Sequence, residues 1–419
     1  MKRVAMISEH ASPLALLGGV DAGGQNVYVA ELAQGLAARG ATVDIFTRRE
    51  DPRTPTIVDW SAGVRVIHVE AGPPTVVPKE ELLPYMPAFA QWMHDFMQRN
   101  GRSYDVLHAH FWTSAVAASL LRIPIPIPLV ITFHALGRVR LLHQKDADRF
   151  PPTRGCIEER LIAEADAVIA ECPQDATDLI ALYHARPNRL RVVPCGVDCQ
   201  RFRPLDREAA RMAIGYDSAD PLLLQLGRMV PRKGVDDVVR ALARLRNEHG
   251  IPVRLMIVGG ESDEPDEVAT PYLRQLRTVA AAAGVGEAIT LVGRRGGDRL
   301  REYYSAADAF VTTPWYEPFG ITPLEAMACG TPVIGSAVGG IKYTVIDGET
   351  GFLVPPRDPQ AIAERAKALL CCPDMRAWMS HHAVQRVRRS FQWCHVAAAV
   401  DRLYDDVADR HGAGRLTAA

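Results

Sequence analysis

Short apolar runs rich in valine and isoleucine alternate along the chain with longer segments whose apolar residues recur at helical spacing. This alternation is typical of βαβ units, in which helices cover both faces of a parallel sheet. In the first half of the chain, seven runs are predicted strands: Arg3–Ile7, Val43–Thr47, Val64–Val69, Val106–His108, Leu129–Thr132, Ala167–Ala170 and Leu190–Val193. Seven strands are enough for one complete sheet.

The alternation stops in the irregular stretch Pro194–Asp206 and then starts again. Six further runs are predicted strands: Leu222–Leu226, Arg254–Val258, Ile289–Val292, Ala309–Thr312, Pro332–Gly335 and Phe352–Val354. A chain of 419 residues also exceeds the size at which single hydrophobic cores stop growing, about 250 to 300 residues. The sequence therefore predicts an α/β protein with two Rossmann-like, doubly wound parallel-sheet domains and a linker near residues 196–210.

Two helices are predicted with particular clarity. Asn26–Arg39 places Val29, Leu32, Ala33 and Leu36 on one face, and Gly40 supplies a stop. Val235–Arg246 repeats this pattern with Val235, Val238, Val239 and Leu242. Each helix is expected to pack one apolar stripe against a sheet.

Charge and composition exclude several classes of protein. The formal net charge is -1, so the chain as a whole attracts neither nucleic acid nor an anionic membrane, and any anion site must be local. The apolar start, Val4–Ile7, is too short for a signal peptide or a spanning helix. No transmembrane segment is expected, although peripheral membrane contact stays open.

Eight cysteines are scattered through the chain without a CxxC motif. The closest cysteine pairs have no histidine or cysteine partners at zinc-binding spacing, so structural zinc is not expected. Thiols in a reducing cytosol explain this usage better than a disulfide framework does, and we therefore predict a cytoplasmic protein.

A glycine-rich loop precedes the first predicted helix and reads Gly18-Gly19-Val20-Asp21-Ala22-Gly23-Gly24. Glycines at a helix N-terminus expose backbone N–H groups that can bind a phosphate, with help from the helix dipole. A flexible strand-to-helix turn is an equally good interpretation of the glycines alone. The spacing is not GxGxxG, which weighs against a dinucleotide cofactor.

A basic turn follows the first strand of the second half. Leu222–Leu226 leads into Gly227-Arg228-Met229-Val230-Pro231-Arg232-Lys233-Gly234, immediately before a helix. Arg228 and Lys233 thus lie at the carboxyl end of a strand, where doubly wound sheets bind ligands. A departing diphosphate needs such charge, but a solvated basic turn would show the same pattern.

Two glutamates flank the start of a predicted helix in Glu317-Pro318-Phe319-Gly320-Ile321-Thr322-Pro323-Leu324-Glu325. Glu317 falls in the loop after Ala309–Thr312, and Glu325 falls about one turn inside the helix. Free N–H groups at Gly320, Ile321 and Thr322 would add donors for an anion or a hydroxyl. Glu325 is followed by apolar residues, so it needs a partner if it is buried.

Two histidines lie at strand ends in the first half. His134 follows Leu129–Thr132, and His110 follows Val106–Ala109. Single histidines in such places are more often structural or merely exposed, but two on neighbouring strand ends favour a functional role for one of them.

Together these segments resemble the retaining glycosyltransferases of family 4, which have the GT-B fold and include sucrose-phosphate synthases, sucrose synthases and the inositol-phosphate N-acetylglucosaminyltransferase of mycothiol synthesis. The resemblance covers essentially the whole chain, and Glu317 and Glu325 match the family's E-x7-E signature. It implies an acceptor-side domain over residues 1–203, a nucleotide-sugar-binding domain over 204–388 facing it across a cleft, and a helix over 389–419 that crosses back to the first domain.

The resemblance also implies the donor site. The donor is expected to be a nucleoside diphosphate sugar, a UDP-sugar in particular, with no further cofactor and no metal. Catalytic roles fall on His134, Arg228, Lys233 and Glu317, with His134 lining the donor sugar. Donor binding falls on Gly23, Gly24, Arg228, Lys233, Arg294, Glu317, Phe319, Gly320, Ile321, Thr322 and Glu325. In such enzymes the sugar keeps its anomeric configuration, and the leaving phosphate oxygen takes the acceptor's proton.

For the acceptor, the resemblance implies Asn26, Lys79, His110 and Arg154. Phe111 and Ala135 replace hydroxyl residues of the inositol-phosphate enzymes, so the acceptor stays open: a sugar or polyol phosphate, or a glycan or lipid-linked intermediate of an exopolysaccharide. For Lys79 and Arg154, surface charges without a ligand are an equally good interpretation.

Two other classes of protein share this architecture. A sugar-nucleotide epimerase should carry catalytic carboxylates in place of the Arg228, Lys233 and two-glutamate set, and a non-catalytic subunit would bind donor without turnover. The sequence does not decide between a monomer and a homodimer.

Overall fold

A computed structural model describes residues 1–15 and 23–417 of the chain. The chain forms two compact units: the first runs to Cys195 and takes up the chain again at Trp393, and the second comprises Gly196–Gln392. Each unit contains one sheet with helices on its faces, so the predicted α/β fold with two parallel-sheet domains is confirmed.

The first unit contains eight strands: β1 (Arg3–Ile7), β2 (Thr42–Arg48), β3 (Ile57–Ser61), β4 (Val64–Val69), β5 (Val106–His110), β6 (Leu129–Thr132), β7 (Ala167–Ala170) and β8 (Leu190–Val192). Its first six helices are α1 (Gly24–Ala37), α2 (Met86–Arg99), α3 (Trp112–Leu121), α4 (Gly137–Gln144), α5 (Arg154–Glu164) and α6 (Pro173–Tyr183). The order across the sheet is β3-β4-β2-β1-β5-β6-β7-β8. All neighbouring strands are parallel except β3 and β4.

The second unit contains β9 (Leu222–Leu226), β10 (Arg254–Val258), β11 (Ile289–Gly293), β12 (Ala309–Thr312), β13 (Val333–Ser336) and β14 (Gly351–Val354). Its helices are α7 (Arg207–Ala213), α8 (Val235–Asn247), α9 (Tyr272–Ala282), α10 (Leu300–Ala306), α11 (Ile321–Ala328), α12 (Ile341–Thr344), α13 (Pro359–Cys371) and α14 (Pro373–Ser390). The order β11-β10-β9-β12-β13-β14 is parallel throughout and changes direction between β9 and β12. Ligands of doubly wound sheets bind at such a switch point.

All thirteen predicted strands are present, and β3 is the one described strand that was not predicted. It pairs antiparallel with β4 at the edge of the sheet, and its residues alternate between exposed and half-buried. An edge strand of this kind lacks the continuous apolar run that identified its parallel neighbours. The stripes of α1 and α8 are buried as predicted.

The units divide at slightly different residues from those predicted. Residues 196–203, expected in the first domain, belong to the second unit, because the Val197 N–H donates to the Phe391 carbonyl at 2.7 Å. For the same reason the return to the first unit occurs at Trp393 rather than at residue 389.

The last helix, α15 (Trp393–Thr417), packs against α1 within the first unit. A Cβ on Gly35 of α1 would lie 2.7 Å from the Ala397 Cβ, so only glycine allows this approach. Tyr404 contacts His108 of β5 at 2.7 Å, and Lys2 forms an ion pair with Asp401. In the part of the chain that the structure describes, no helix is long and apolar enough to cross a bilayer.

Candidate active site

The basic turn lies directly after β9, at the switch point of the second sheet. The turn ends in a short 3-10 helix, Pro231–Lys233, and Gly234 follows in the left-handed conformation with a φ of 65°. A Cβ on Gly234 would lie 2.2 Å from the Thr313 carbonyl oxygen after β12, so glycine is required there. This close approach brings Lys233 beside the loop after β12, where its Nζ donates to Glu317 Oε2.

Two arginines add positive charge near Lys233. Burial lowers the pKa of Lys233 to about 8, and the charges of Arg232 and Arg228 also lower it, against the attraction of Glu317. Burial acts to raise the pKa of Glu317, but Lys233, Arg232 and Arg228 together hold it below its ordinary value. Three cations thus act on one carboxylate. Among the described residues, the buried Nη1 of Arg232 also has no hydrogen-bond partner.

The loop that carries Glu317 rests on two glycines. A Cβ on Gly339 would lie 1.8 Å from the Glu317 carbonyl oxygen, and one on Gly340 would lie 2.4 Å from Phe319 Cα. The Phe319 side chain is buried near Phe391, with 6.5 Å between ring centroids, so only its backbone is placed for a ligand. Gly320 has a φ of 89°, and no side chain caps α11, which leaves the first amides of the helix, at Ile321 and Thr322, without a side-chain acceptor.

Glu325 lies one turn inside α11 and has the partner that its burial requires. The Tyr304 hydroxyl donates to Glu325 Oε2 at 2.8 Å. Burial raises the pKa of Glu325, although Tyr304 and Arg201 act against that rise. One carboxylate oxygen is thereby held by a hydroxyl donor.

Arg294, which the resemblance assigns to donor binding, follows β11. Its Nε and Nη2 both donate to Asp263 Oδ1 at 3.1 Å, and its backbone N–H donates to the Ser262 carbonyl at 2.8 Å. Arg294 is therefore tied to the loop after β10, and its role in donor binding stays a prediction.

In the first unit, the two predicted histidines contact each other. His134 follows β6, and its Nε2 lies 3.1 Å from His110 Nδ1 at the end of β5. His110 has no exposed surface, so rather than facing an acceptor, as predicted, it lies against His134. The other ring nitrogen of His134, Nδ1, lies 3.0 Å from Glu171 Oε1.

The start of α1 is closed by Asn26. The Gly23 N–H donates to Asn26 Oδ1 at 2.9 Å, and Asn26 Nδ2 donates to the Ser12 carbonyl at 2.9 Å. The side chain predicted to bind acceptor therefore holds the helix start together. Gly24 is the first residue of the helix and is exposed. Of the glycine-rich loop, Gly18, Gly19, Asp21 and Ala22 lie outside the described residues.

The two predicted acceptor cations have different environments. Lys79 begins a short 3-10 helix, Lys79–Glu81, and is partly exposed. The loop before it is held by the buried Arg48, whose guanidinium donates to the carbonyls of Pro73 and Thr75 at 2.7 and 2.5 Å. Lys79 is thus presented on an anchored loop.

Arg154 is not a surface charge. It is 2% exposed, its Nε donates to Glu158 Oε1 at 2.7 Å, and its Nη2 donates to the Ala135 carbonyl. The guanidinium also lies 4.3 Å from the ring centroid of Phe150 and 4.9 Å from that of Phe111, while its Nη1 has no hydrogen-bond partner among the described residues. These contacts exclude the surface-charge interpretation, and acceptor binding by Arg154 stays a prediction.

Several residues that shape the site were not singled out from the sequence: Arg48, Glu171, Arg232, Tyr304, Gly339 and Gly340. A hydrogen-bond donor such as Tyr304 was predictable, because a buried Glu325 requires one. The glycine pair in Gly339-Gly340-Ile341 was also visible, because paired glycines after a strand indicate a close backbone approach.

Replacing Gly340 with alanine should displace the loop that carries Glu317 and Phe319. The added Cβ has no space, since backbone atoms of Phe319 lie within 2.8 Å of it. A shift of about 1 Å in a positioning loop typically costs about 100-fold in rate. Steady-state kinetics measure the loss, and Gly286→Ala is the control, because nothing lies within 4 Å of a Cβ there. Equal activities of the two variants would contradict this role.

The low pKa of Lys233 predicts a basic limb in the pH profile. Because kcat/KM reports the free enzyme, it should fall as pH rises through about 8, where Lys233 loses its charge. Lys233→Arg should remove this limb, since arginine keeps its charge. Stability should change in the opposite sense: between pH 8 and the ordinary lysine pKa, the unfolded chain binds the extra proton, so unfolding becomes harder as pH rises. A flat kcat/KM profile to pH 10 would contradict the assignment.

Comparison with known proteins identifies the family. Residues 22–201 match the family Glycosyltransferase Family 4, and residues 206–386 match Glycosyl transferases group 1. The D-inositol 3-phosphate glycosyltransferase of Xylanimonas cellulosilytica is 39% identical, over 98% of this chain and 98% of that protein.

Solved structures agree as well. The sucrose-phosphate synthase from Thermosynechococcus elongatus is 34% identical and has a TM-score of 0.88, with 97% of this chain and 99% of that chain covered. HepE of Anabaena, solved with UDP and glucose, shares the fold at 20% identity and a TM-score of 0.74, with 97% and 100% covered. Because close relatives span nearly the whole chain and both of its halves match, this protein belongs to the glycosyltransferases of group 1 and family 4, which have the GT-B fold.

Proposed function

We propose that this glycosyltransferase moves a hexosyl group from a UDP-sugar to a hydroxyl of a sugar phosphate or polyol phosphate, with retention of the anomeric configuration. The observation that carries this proposal is the positive charge after β9, where Lys233 is buried against Glu317 and Arg228 and Arg232 add their charges. Such a turn suits a diphosphate, whose negative charge grows as its bond to the sugar breaks.

The second unit's other groups suit the rest of a nucleotide sugar. The uncapped amides at the start of α11 can donate to phosphate or sugar oxygens, and the Glu325 carboxylate can accept from a ribose hydroxyl. Glu317 is held in place by Lys233, which suits a carboxylate that accepts from hydroxyls of the donor sugar. Because Lys233 keeps its proton at neutral pH, the departing phosphate is stabilised while it takes the acceptor's proton. No carboxylate nucleophile is needed in this reaction.

The names of two relatives bear on the chemical class of the acceptor. The names of the relatives include a D-inositol 3-phosphate glycosyltransferase and a sucrose-phosphate synthase. Phe111 and Ala135 offer no hydroxyl, and Arg154 is paired with Glu158, so we assign the acceptor phosphate to Lys79 and expect an acceptor other than inositol phosphate. A cytoplasmic location and a monomeric or homodimeric state stay predictions.

A donor and acceptor screen tests the proposal. UDP-, GDP- and ADP-sugars are each incubated with sugar phosphates, polyol phosphates and their unphosphorylated forms, and nucleotide release is measured. We expect release with a UDP-sugar and a phosphorylated acceptor, and an α-linked product by proton NMR from an α-linked donor. Lys79→Ala should raise KM for the phosphorylated acceptor only. A β-linked product, or a new epimer formed from the donor alone, would overturn the proposal.

A further inference from the structure

A carboxylate from a neighbouring strand end holds the histidine assigned to the donor sugar. Glu171 follows β7 and is almost fully buried, and its Oε1 lies 3.0 Å from His134 Nδ1. The same oxygen accepts from Cys195 Sγ at 3.2 Å. On the far side of the ring, His134 Nε2 lies 3.1 Å from His110 Nδ1. Both nitrogens of His134 are therefore engaged within the first unit.

A second buried carboxyl group contacts the backbone of Glu171. Asp175 accepts from the Glu171 N–H at 2.9 Å. Burial, together with the charge of Glu171, raises the pKa of Asp175 to about 8. At neutral pH, Asp175 therefore keeps its proton.

The contact with Glu171 fixes the tautomer of His134. Glu171 Oε1 accepts from the Cys195 thiol and lies 3.0 Å from His134 Nδ1, so Nδ1 carries the hydrogen and donates to the same oxygen. With its hydrogen on Nδ1, the ring accepts at Nε2, and His110 donates to it from Nδ1. Burial, with the neighbouring His108 and His134, holds the pKa of His110 well below its ordinary range, so His110 stays neutral.

The backbone of His134 also depends on these contacts. Its φ is 58°, in the left-handed region that residues other than glycine rarely adopt. Such conformations persist only where the surroundings determine them. The two ring contacts, with the ring of Tyr28 at 4.9 Å, determine where the imidazole points.

We propose that Glu171 is a positioning residue for His134, which it holds in one tautomer and one orientation toward the donor sugar. This inference rests on the proposed function, together with the contact between His134 and the donor sugar that the family resemblance implies. Glu171 itself touches no substrate, so its effect on turnover passes through His134. A purely structural carboxylate would act on the fold instead.

A double-mutant cycle separates these two roles. Glu171→Ala should lower kcat by about 100-fold, the loss typical of a misplaced catalytic group, and should leave the Kd for UDP unchanged. In the His134→Ala background the same substitution should cost nothing further, because the group it positions is gone. Losses that multiply in the double variant, or an unchanged kcat in Glu171→Ala, would overturn the inference.

Two further variants serve as controls. Glu171→Gln keeps a carbonyl oxygen that can accept from the N–H of His134 Nδ1, so it should retain more activity than Glu171→Ala. If Glu171→Ala does not fold, Glu171→Gln takes its place in the double-mutant cycle. Asp175→Asn mimics the protonated Asp175 and should keep wild-type kcat. Loss of activity in Asp175→Asn equal to that in Glu171→Ala would show that any change in this buried cluster is harmful, and would contradict a specific role of Glu171.

A direct readout keeps this inference separate from the proposed function. In nitrogen-15 NMR spectra of the histidine rings, the wild-type protein should show His134 with its hydrogen on Nδ1, and Glu171→Ala should lose that signal. A wild-type protein that transfers no sugar with any combination of donor and acceptor would refute the proposed function. The NMR spectrum would still test the contact between Glu171 and His134. A wild-type protein that transfers sugar but shows the hydrogen on Nε2 would refute the inference alone.

Discussion

Lys233→Ala is expected to lower kcat by about 100- to 1,000-fold, the usual cost of removing one group that stabilises developing charge. Lys233 is the cation nearest to Glu317, and its pKa is lowered because burial and two arginines disfavour its charge. The fold therefore gains little from that charge, and we expect the free energy of unfolding to change far less than the rate does. Single-turnover kinetics and chemical unfolding measure the two effects.

Arg244→Ala on α8 is the control for Lys233→Ala. Arg244 pairs with the exposed Glu248 at the end of this helix, so its removal should change neither kcat nor stability appreciably. If Lys233→Ala reduced activity only in proportion to lost folded protein, the assignment of Lys233 to the leaving group would be refuted.

Arg154→Ala is expected to destabilise the protein by about 3–5 kcal/mol, because it leaves a buried carboxylate without its cation. Glu158 has no exposed surface, and besides Arg154 it accepts only from the Tyr183 hydroxyl at 2.5 Å and the Gly137 N–H at 2.9 Å among the described residues. Those two donors cannot neutralise its charge. Equilibrium denaturation with urea measures the loss.

The same helix supplies a matched control for Arg154→Ala. Arg160 and Glu164 form another pair four residues apart on α5, but Arg160 is exposed, so Arg160→Ala should cost about 0.5 kcal/mol or less. Replacing both buried partners, in Arg154→Met with Glu158→Gln, should recover part of the stability that Arg154→Ala loses. Wild-type stability in Arg154→Ala, together with a raised KM for the acceptor, would instead return Arg154 to the acceptor site.

The sequence predicts the strands of this fold well and its side-chain partnerships poorly. A strand buried on both faces must be apolar along its whole length, so runs such as Leu222–Leu226 can be recognised as strands from the sequence. The edge strand β3 does not, because its residues alternate in exposure. Strand ends also indicate which edge of a sheet carries ligands. Lys233 and His134 lie after the carboxyl ends of β9 and β6, as the sequence predicted.

Partnerships depend on residues far apart in the chain, which a single sequence does not bring together. Glu171 lies 37 positions from His134, and Tyr304 lies 21 from Glu325. Arg154 illustrates the same difficulty. Long cationic side chains are usually solvated, and the residues next to Arg154 in the sequence do not indicate the aromatic rings that surround it. The glycine pair Gly339 and Gly340 indicates a close backbone approach, but the sequence does not show which loop lies against it.

The packing of α15 on α1 has a consequence for biosynthesis. Chains leave the ribosome from the N-terminus, and domains generally fold as units in that order. Here the helix that covers Gly35 is made after the second unit, so the face of α1 at Gly35 stays uncovered until translation has passed Ala397. The unit begun first is thus completed after the second unit, and a nascent chain stalled before Trp393 would expose that face to chaperones.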